Sequence, residues 1–317
     1  MTRTLAAIAL LLLTAPAAWA QAYPSKPVRL ISAYPPGGGG DAVARIVAQA
    51  LTDQFGQQVI VDTRAGASGV IGTSVGAKAP PDGYTLLLGS VAPLAILPGA
   101  SSKLPYDARK DFQPISLVAL SDYVLTVHPS LPAKSINEMI ALARSNPGKL
   151  TYASSGGMGG PHLAGELLSI RAKVSLLHVP YKGTGAAAIG VMTGETTMMF
   201  GSGPSVVPHM SAGKLRGVAT TGLKRSIPTL PAIAEVLPGY EVRQWYGILV
   251  PVAVPKDIVE RLHQEILRAI GNPKVAQLLT NVGTQPETST SEEFRTYIQS
   301  EIDKWTKVIK TANIRPD

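Results

Sequence analysis

Apolar positions along the chain come in two alternating patterns. Short β-rich runs are followed by stretches whose apolar residues recur every three or four positions, and this alternation argues for α/β layers. Val28 to Ala33 reads as a first strand. Ala42 to Phe55 carries Val43, Ile46, Val47, Ala50 and Leu51 at helical spacing. Gln58 to Asp62 reads as a second strand, Ser68 to Ala79 as a helix of small residues, and Tyr84 to Gly89 as a third strand. Pro80-Pro81-Asp82-Gly83 supplies the turn between the last two. A strand over Asp122 to His128 leads into a second, similar unit. There, Ser135 opens a helix to Arg144, with Glu138 placed for a capping box. Leu150 to Ala153 is a strand, Pro161 to Ile170 a helix, Lys173 to Val179 a strand and Gly185 to Thr193 a helix. Met198 to Gly201 and Arg216 to Thr220 are further strand candidates, and Lys256 to Lys310 reads as helices broken near Asn272-Pro273 and Val282 to Thr288.

The strand, glycine loop, helix unit thus appears twice, about one domain apart. This predicts two α/β lobes, residues 21–123 with 244–317 forming the first and 124–243 the second. The chain would cross near Leu120 to Thr126 and return near Tyr240 to Tyr246, with the C-terminal helices completing the first lobe. Those crossings are the expected hinges.

The address comes from the first twenty residues. Arg3 gives a positive start, Leu5 to Leu13 an apolar run, and Ala18-Trp19-Ala20 a small-x-small cleavage signal, so export to a periplasm with a cut after Ala20 is expected. The run is too short to span a bilayer. There are no cysteines, so neither disulfides nor thiolate metal sites are available and stability must rest on core burial. The net charge is +8, yet only 16% of residues are charged, with no Lys/Arg run and no aromatic platform. A diffuse positive field attracts anions but lacks the clustered stripe of a nucleic-acid footprint.

Two loops could carry chemistry. Tyr34-Pro35-Pro36-Gly37-Gly38-Gly39-Gly40-Asp41 follows a strand and precedes a helix. Its glycines let a ligand reach backbone N–H groups, and the helix start that follows favours an anion; Asp41 is the expected cap. Ser154-Ser155-Gly156-Gly157-Met158-Gly159-Gly160 repeats that logic, with two hydroxyl donors and Pro161 in the first helical turn. Facing each other, the two helix starts would enclose a small dianion or a carboxylate with a polar tail. Three further stretches are cleft-lining candidates: Ser68 before a helix, Ser90 at a strand end, and Tyr181 to Gly183 between a strand and a helix.

Catalytic alternatives find little support. His162 and Glu166 stand one helical turn apart, the spacing of a structural pair. His128, His178, His209 and His263 are scattered without zinc-site spacing, and neither a Gly-x-Ser-x-Gly elbow nor a Walker loop occurs. One rival does fit by spacing. Gly37, Gly39 and Ala42 match Gly-x-Gly-x-x-Gly/Ala, with Asp62 about twenty residues on, which allows a dinucleotide-binding oxidoreductase. The export signal and the two leading prolines oppose it. No cofactor, metal or catalytic residue is expected.

Several stretches form one recognisable set: Tyr23-Pro-Ser-Lys-Pro-Val-Arg29, Pro35-Pro-Gly-Gly-Gly-Gly-Asp41, Arg64-Ala-Gly-Ala-Ser-Gly-Val-Ile-Gly72 and Pro81-Asp-Gly-Tyr-Thr-Leu86. Further on are Tyr152-Ala-Ser-Ser-Gly156, Pro161-His-Leu-Ala-Gly-Glu166, Val179-Pro-Tyr-Lys-Gly183, Ala212-Gly-Lys-Leu-Arg216, Pro231 to Glu235, and Pro238-Gly-Tyr240 with Trp245. Taken together, they resemble the Bug family, the TctC-like substrate-binding proteins of tripartite tricarboxylate transporters. The resemblance implies a two-lobe Venus-flytrap fold closing on an organic acid, gripped largely through backbone groups and bridging waters of the two loops. It also implies delivery to transporter membrane subunits or to a sensor kinase. A monomer with no nucleic-acid partner is expected.

The chain departs from the family pattern at four places. Ala65 stands for the usual proline, Val70 and Leu97 for frequent asparagines, and Gly201-Ser202 for a frequent aspartate. An ammonium group would want a facing carboxylate, so these changes point away from amino acids and toward a dicarboxylate or an aromatic or apolar-tailed carboxylate. The expected ligand-binding set is Tyr34, Pro36, Gly38, Gly39, Gly40, Ser68, Ser90, Ser154, Ser155, Gly156, Gly157, Tyr181, Gly183 and Gly201.

Overall fold

The structure is a computed structural model that describes residues 23–37, 39–101 and 103–314. The expected signal segment and Gly38 lie outside the described residues. The first strand, β1 (Val28–Ser32), is buried on both faces, as a strand between helical layers must be. The helix α1 (Gly39–Phe55) returns the chain to β2 (Val59–Thr63), and α2 (Val70–Ala77) to β3 (Thr85–Ser90). All three strands are parallel, in the order β2-β1-β3. The sequence expectation holds here to within a few residues.

Beyond β3 the pattern misled. Ala92–Ile96 forms a wide helical turn continuing into the short α3 (Leu97–Ala100), and Pro93 to Leu97 are buried. The next strand, β4 (Phe112–Val127), is sixteen residues long and buried almost throughout. Only its second half was expected, because Pro114 and Ser116 interrupt the apolar run of the first half. The register shifts between those two residues, and a bulge is where a sheet tolerates proline.

In the second unit α4 (Ile136–Ser145) carries the expected cap. Ser135 accepts from the Glu138 N–H at 3.2 Å, while the Glu138 carboxylate accepts from the Lys134 N–H. Then follow β5 (Thr151–Ser154), α5 (Gly160–Ala172), β6 (Leu177–Pro180), α6 (Thr184–Met192), β7 (Met198–Ser202), α7 (Gly203–Ser211) and β8 (Arg216–Thr220). β5 is parallel to both β6 and β7.

The return crossing is β9 (Arg243–Pro251), a full strand where only a connection was expected. It lies antiparallel to β3 and, over Phe112 to Asp122, to β4. Gly247 sits in it because a side chain there would run into the Phe294 ring. From Tyr123 onward β4 exchanges these neighbours for β7 and β8. Among the described residues the strands therefore join through β4, whose two halves belong to two different strand groups.

The tail forms α8 (Lys256–Gly271), α9 (Pro273–Asn281), β10 (Gln285–Pro286) and α10 (Ser291–Ala312). Val259, Leu262, Ile266 and Ile270 of α8 pack with Val43, Val47 and Leu51 of α1 in one core. Phe294, Ile298, Ile302, Trp305 and Ile309 of α10, spaced three or four apart, enter a second core that runs from the 91–97 turn to β4, α4 and α5. The tail thus packs against the first strand group through α8 and against both units through α10.

Candidate functional site

The first glycine loop is shorter than its sequence suggests, because α1 begins within the glycine run. Gly39 and Gly40 are its first residues, and Asp41 lies inside the first turn. This corrects the expectation that Asp41 precedes the helix as its cap. From within the turn its Oδ2 accepts from the Gly37 N–H at 3.1 Å and from Arg45 at 3.0 Å. Burial opposes ionisation of Asp41, but these two donors prevail and hold the carboxyl below its usual range. The negative charge is thereby committed to Arg45 and Gly37, leaving the first N–H groups of α1 for another acceptor. Gly37 has φ +83°, which suits glycine. Gly40 is glycine for a different reason: a Cβ there would lie within 2.5 Å of the Tyr34 ring atoms. The Tyr34 ring lies against the start of the helix.

The hydroxyl of Tyr34 reaches across the molecule. Gln244 of β9 donates to it from Nε2 at 2.7 Å, and the same amide accepts from the Tyr123 hydroxyl at 2.9 Å through Oε1. The Tyr123 hydroxyl in turn rests on Gly160, where a Cβ would lie 2.6 Å from Cζ. Gly160 is the first residue of α5, directly after the second loop. One buried amide therefore joins two tyrosines, each lying on the first turn of a different glycine-led helix. Tyr246 packs edge-on against Tyr34 at 5.6 Å between centroids. Burial raises the Tyr34 hydroxyl to about 12 against hydrogen bonds from Ser90 and Gln244, and it raises Tyr123 and Tyr246 as well. These phenols remain protonated donors at any physiological pH.

The second loop is held by histidines. Ser154, 1% exposed, meets Nε2 of His178 at 2.6 Å and donates to the Gly156 carbonyl at 2.8 Å. Nδ1 of His162 accepts from the Met158 N–H at 3.1 Å, which steadies Met158 at φ +55°. The two imidazoles stack at 3.9 Å, and Tyr152 stacks on His178 at 5.0 Å. Burial first, and then the His178 ring, push His162 down to about 4. His162 and Glu166 do approach, at 3.8 Å, but the carboxylate is taken mainly by the Tyr152 hydroxyl at 2.5 Å.

The remaining candidates divide. Pro36, Gly39, Ser155, Gly156 and Gly157 are at least partly exposed on the two loops, and Ser90 is buried beside the Tyr34 oxygen. Tyr181 donates its backbone N–H to the Ser154 carbonyl at 3.0 Å, and Gly183 donates to Ser155 at 3.3 Å, so this segment lines the second loop through its backbone. The Tyr181 hydroxyl points elsewhere, over Gly190, whose Cβ would lie 2.7 Å from Cζ, and toward Glu195 and Thr196. Gly201 is buried under Val206 of α7 and leaves no room for a side chain. Ser68 is exposed in a run, Gly66 to Gly69, of four residues with positive φ. Sequence reasoning missed Gln244, Tyr123 and Tyr246. The only local signal was the glycine at 160, which marks a close approach without naming the partner.

Among the described residues no group of three or more His, Cys, Asp or Glu could hold a metal ion, and no helix is long and apolar enough to cross a membrane. Asp62, the ribose-binding acid of the dinucleotide alternative, is committed to Arg29 at 2.6 Å and to Arg64 at 3.0 Å.

Comparison with known proteins fits this picture. The model of the tripartite tricarboxylate transporter family receptor matches residues 43–314. The protein BugT of Bordetella pertussis is 34% identical, over 99% of both chains. The R. palustris protein Rpa4515, solved with adipate, is 32% identical and superposes with a TM-score of 0.85, covering 93% of this chain and 100% of that one. MatC of Rhodopseudomonas palustris, solved with bound malate, is 27% identical with a TM-score of 0.79, covering 90% and 100%. The expected α/β two-lobe binding-protein fold is borne out by these neighbours, and the oxidoreductase alternative is not.

Proposed function

The chain belongs to the tripartite tricarboxylate transporter receptor family, and on that premise we propose that it captures a small organic carboxylate between its lobes and delivers it to the membrane subunits of such a transporter. Membership makes it a periplasmic solute-binding receptor and not an enzyme. The observation that carries the carboxylate reading is the joining of two glycine-led helix starts through Tyr34, Gln244 and Tyr123. A carboxylate has two oxygens and about four acceptor directions. Free N–H groups at the starts of α1 and α5 supply donors from both sides, and each helix end adds a partial positive charge. Ser155 and the Tyr34 hydroxyl stand beside them.

The lobes in this reading are residues 21–123 with 244–317, and 124–243, and the working unit is a monomer. The exchange of strand partners within β4 at Asp122 and Tyr123 supports a hinge there, with β9 as its companion. Ligand choice falls to the far end of the cleft. The Tyr181 hydroxyl is turned toward Glu195 and Thr196. Val70, Leu97 and Gly201 offer nothing to an ammonium group, so a dicarboxylate or an apolar-tailed carboxylate suits the cleft better than an amino acid. Titration calorimetry with adipate, malate, benzoate, aspartate and glutamate tests this. The first three should include the tight binder, and tight binding of aspartate or glutamate alone would overturn it.

A further inference from the structure

Gln244 is the residue through which the two halves of the candidate site touch. Its side chain is 7% exposed on β9, and Tyr123 is 4% exposed on β4, so neither is a surface group with water as an alternative partner. Its two hydrogen bonds use opposite ends of the amide. Nε2 donates to the Tyr34 oxygen at 2.7 Å, and Oε1 accepts the Tyr123 hydroxyl proton at 2.9 Å. A weaker contact from Nε2 to the Trp245 carbonyl at 3.4 Å favours the same orientation of the amide. The outcome is asymmetric. Tyr123 spends its proton on Gln244, whereas Tyr34 receives a hydrogen bond there and keeps its own proton. Tyr34 is also the partly exposed member of the pair.

We propose that Gln244 is a positioning residue that couples the two glycine loops and fixes the Tyr34 hydroxyl as a donor toward an anionic oxygen in the cleft. Only an amide meets both needs at this position. A leucine would leave the buried Tyr123 hydroxyl without its partner and remove one of the two donors that hold the Tyr34 oxygen. An ionised carboxylate would accept both hydroxyl protons, withdraw the Tyr34 donor and place a negative charge beside the ligand. The coupling follows from packing. Tyr34 cannot shift without leaving Gly40, and Tyr123 cannot shift without leaving Gly160, so movement of either helix start is felt at the other through one amide.

The proposal rests on the carboxylate reading for its ligand side only, and two measurements separate the parts. Hydrogen exchange on the ligand-free protein tests the coupling. Gln244→Leu should speed exchange about tenfold at residues 43–46 and at residues 163–166, the first amides of each helix with a partner one turn back. Should that variant fail to fold, Tyr123→Phe should change both segments in the same way. A change in one segment, or in neither, overturns the coupling.

Calorimetry with adipate tests the donor role, as the ratio of wild-type to Gln244→Glu affinity from pH 8 to pH 5, which cancels the titration of adipate itself. That ratio should be at least about tenfold at pH 8 and shrink as the introduced carboxyl takes a proton and regains a donor. A ratio that does not change with pH overturns the donor role, because a purely structural defect has no reason to recover. If wild type binds none of adipate, malate and benzoate, the carboxylate reading falls and with it the donor role, while exchange still decides the coupling.

Discussion

Gly40→Ala adds one methyl group where the fold has no space for it. A Cβ at this position would lie within 2.5 Å of three Tyr34 ring atoms, whereas carbon atoms in contact sit at about 3.5–4.0 Å. The ring must retreat by roughly 1 Å or more, judged against that contact distance. A retreat of that size carries the 2.7 Å bond between Gln244 and the Tyr34 hydroxyl beyond hydrogen-bonding range. Overpacking of this kind costs about 1–3 kcal/mol, and the lost bond about 1 kcal/mol more. Gly40 lies in a helical turn, and alanine is the better helix former by up to about 1 kcal/mol, so the expected net loss of stability is about 1–3 kcal/mol. The affinity for adipate should fall about tenfold or more, since the hydroxyl and the first amides of α1 move together. Urea unfolding and calorimetry on the same preparation provide the assay. Gly185→Ala is the control, because its Cβ would meet nothing within 4 Å in the first turn of α6. That control should be neutral or slightly stabilising. Gly40→Ala protein that unfolds and binds like the control would refute the reasoning.

Other outcomes follow from the same geometry. Gly160→Ala should weaken carboxylate binding much as Gly40→Ala does, because its Cβ would lie 2.6 Å from Cζ of Tyr123; unchanged calorimetric affinity would contradict the role given to the second loop. His162 is held neutral, at about 4 in the fold against 6.5 for an ordinary imidazole. The unfolded chain therefore takes up that proton first. Wild-type stability should fall between about pH 6.5 and pH 4 by about 3 kcal/mol more than that of His162→Gln, with no further divergence below pH 4. Urea midpoints at pH 7 and pH 4 would show the difference, and parallel curves would exclude it. Saturating adipate should reduce the radius of gyration in small-angle scattering through lobe closure about β4 and β9; an unchanged value would count against those hinges.

Much of the fold was legible in the residues because its elements announce themselves locally. The period of Val43, Val47 and Leu51, the cap at Ser135 and the break at Asn272-Pro273 each act within a few positions. The long crossing strands were not legible, for a physical reason. β9 and the first half of β4 are buried on both faces at all but one position each, so they show no alternation, and Pro114 and Gly247 disguise them further. The two glycine loops stood out because runs of glycine are conspicuous. Their linkage did not, because Tyr34, Tyr123 and Gln244 are separated by 89 and 121 positions and meet only once β4 and β9 lie side by side. Asp41 illustrates the smaller kind of miss. A cap was expected from its residue type, but the helix starts two residues earlier because Gly39 and Gly40 are tolerated in a first turn covered by Tyr34.

A crystal structure of the protein grown with adipate tests the central claim most directly. One carboxylate should lie between residues 37–41 and residues 155–160, within about 3 Å of backbone N–H groups from both segments or of waters they hold, and beside the Tyr34 hydroxyl. Adipate bound with both carboxylates away from these two helix starts would contradict it.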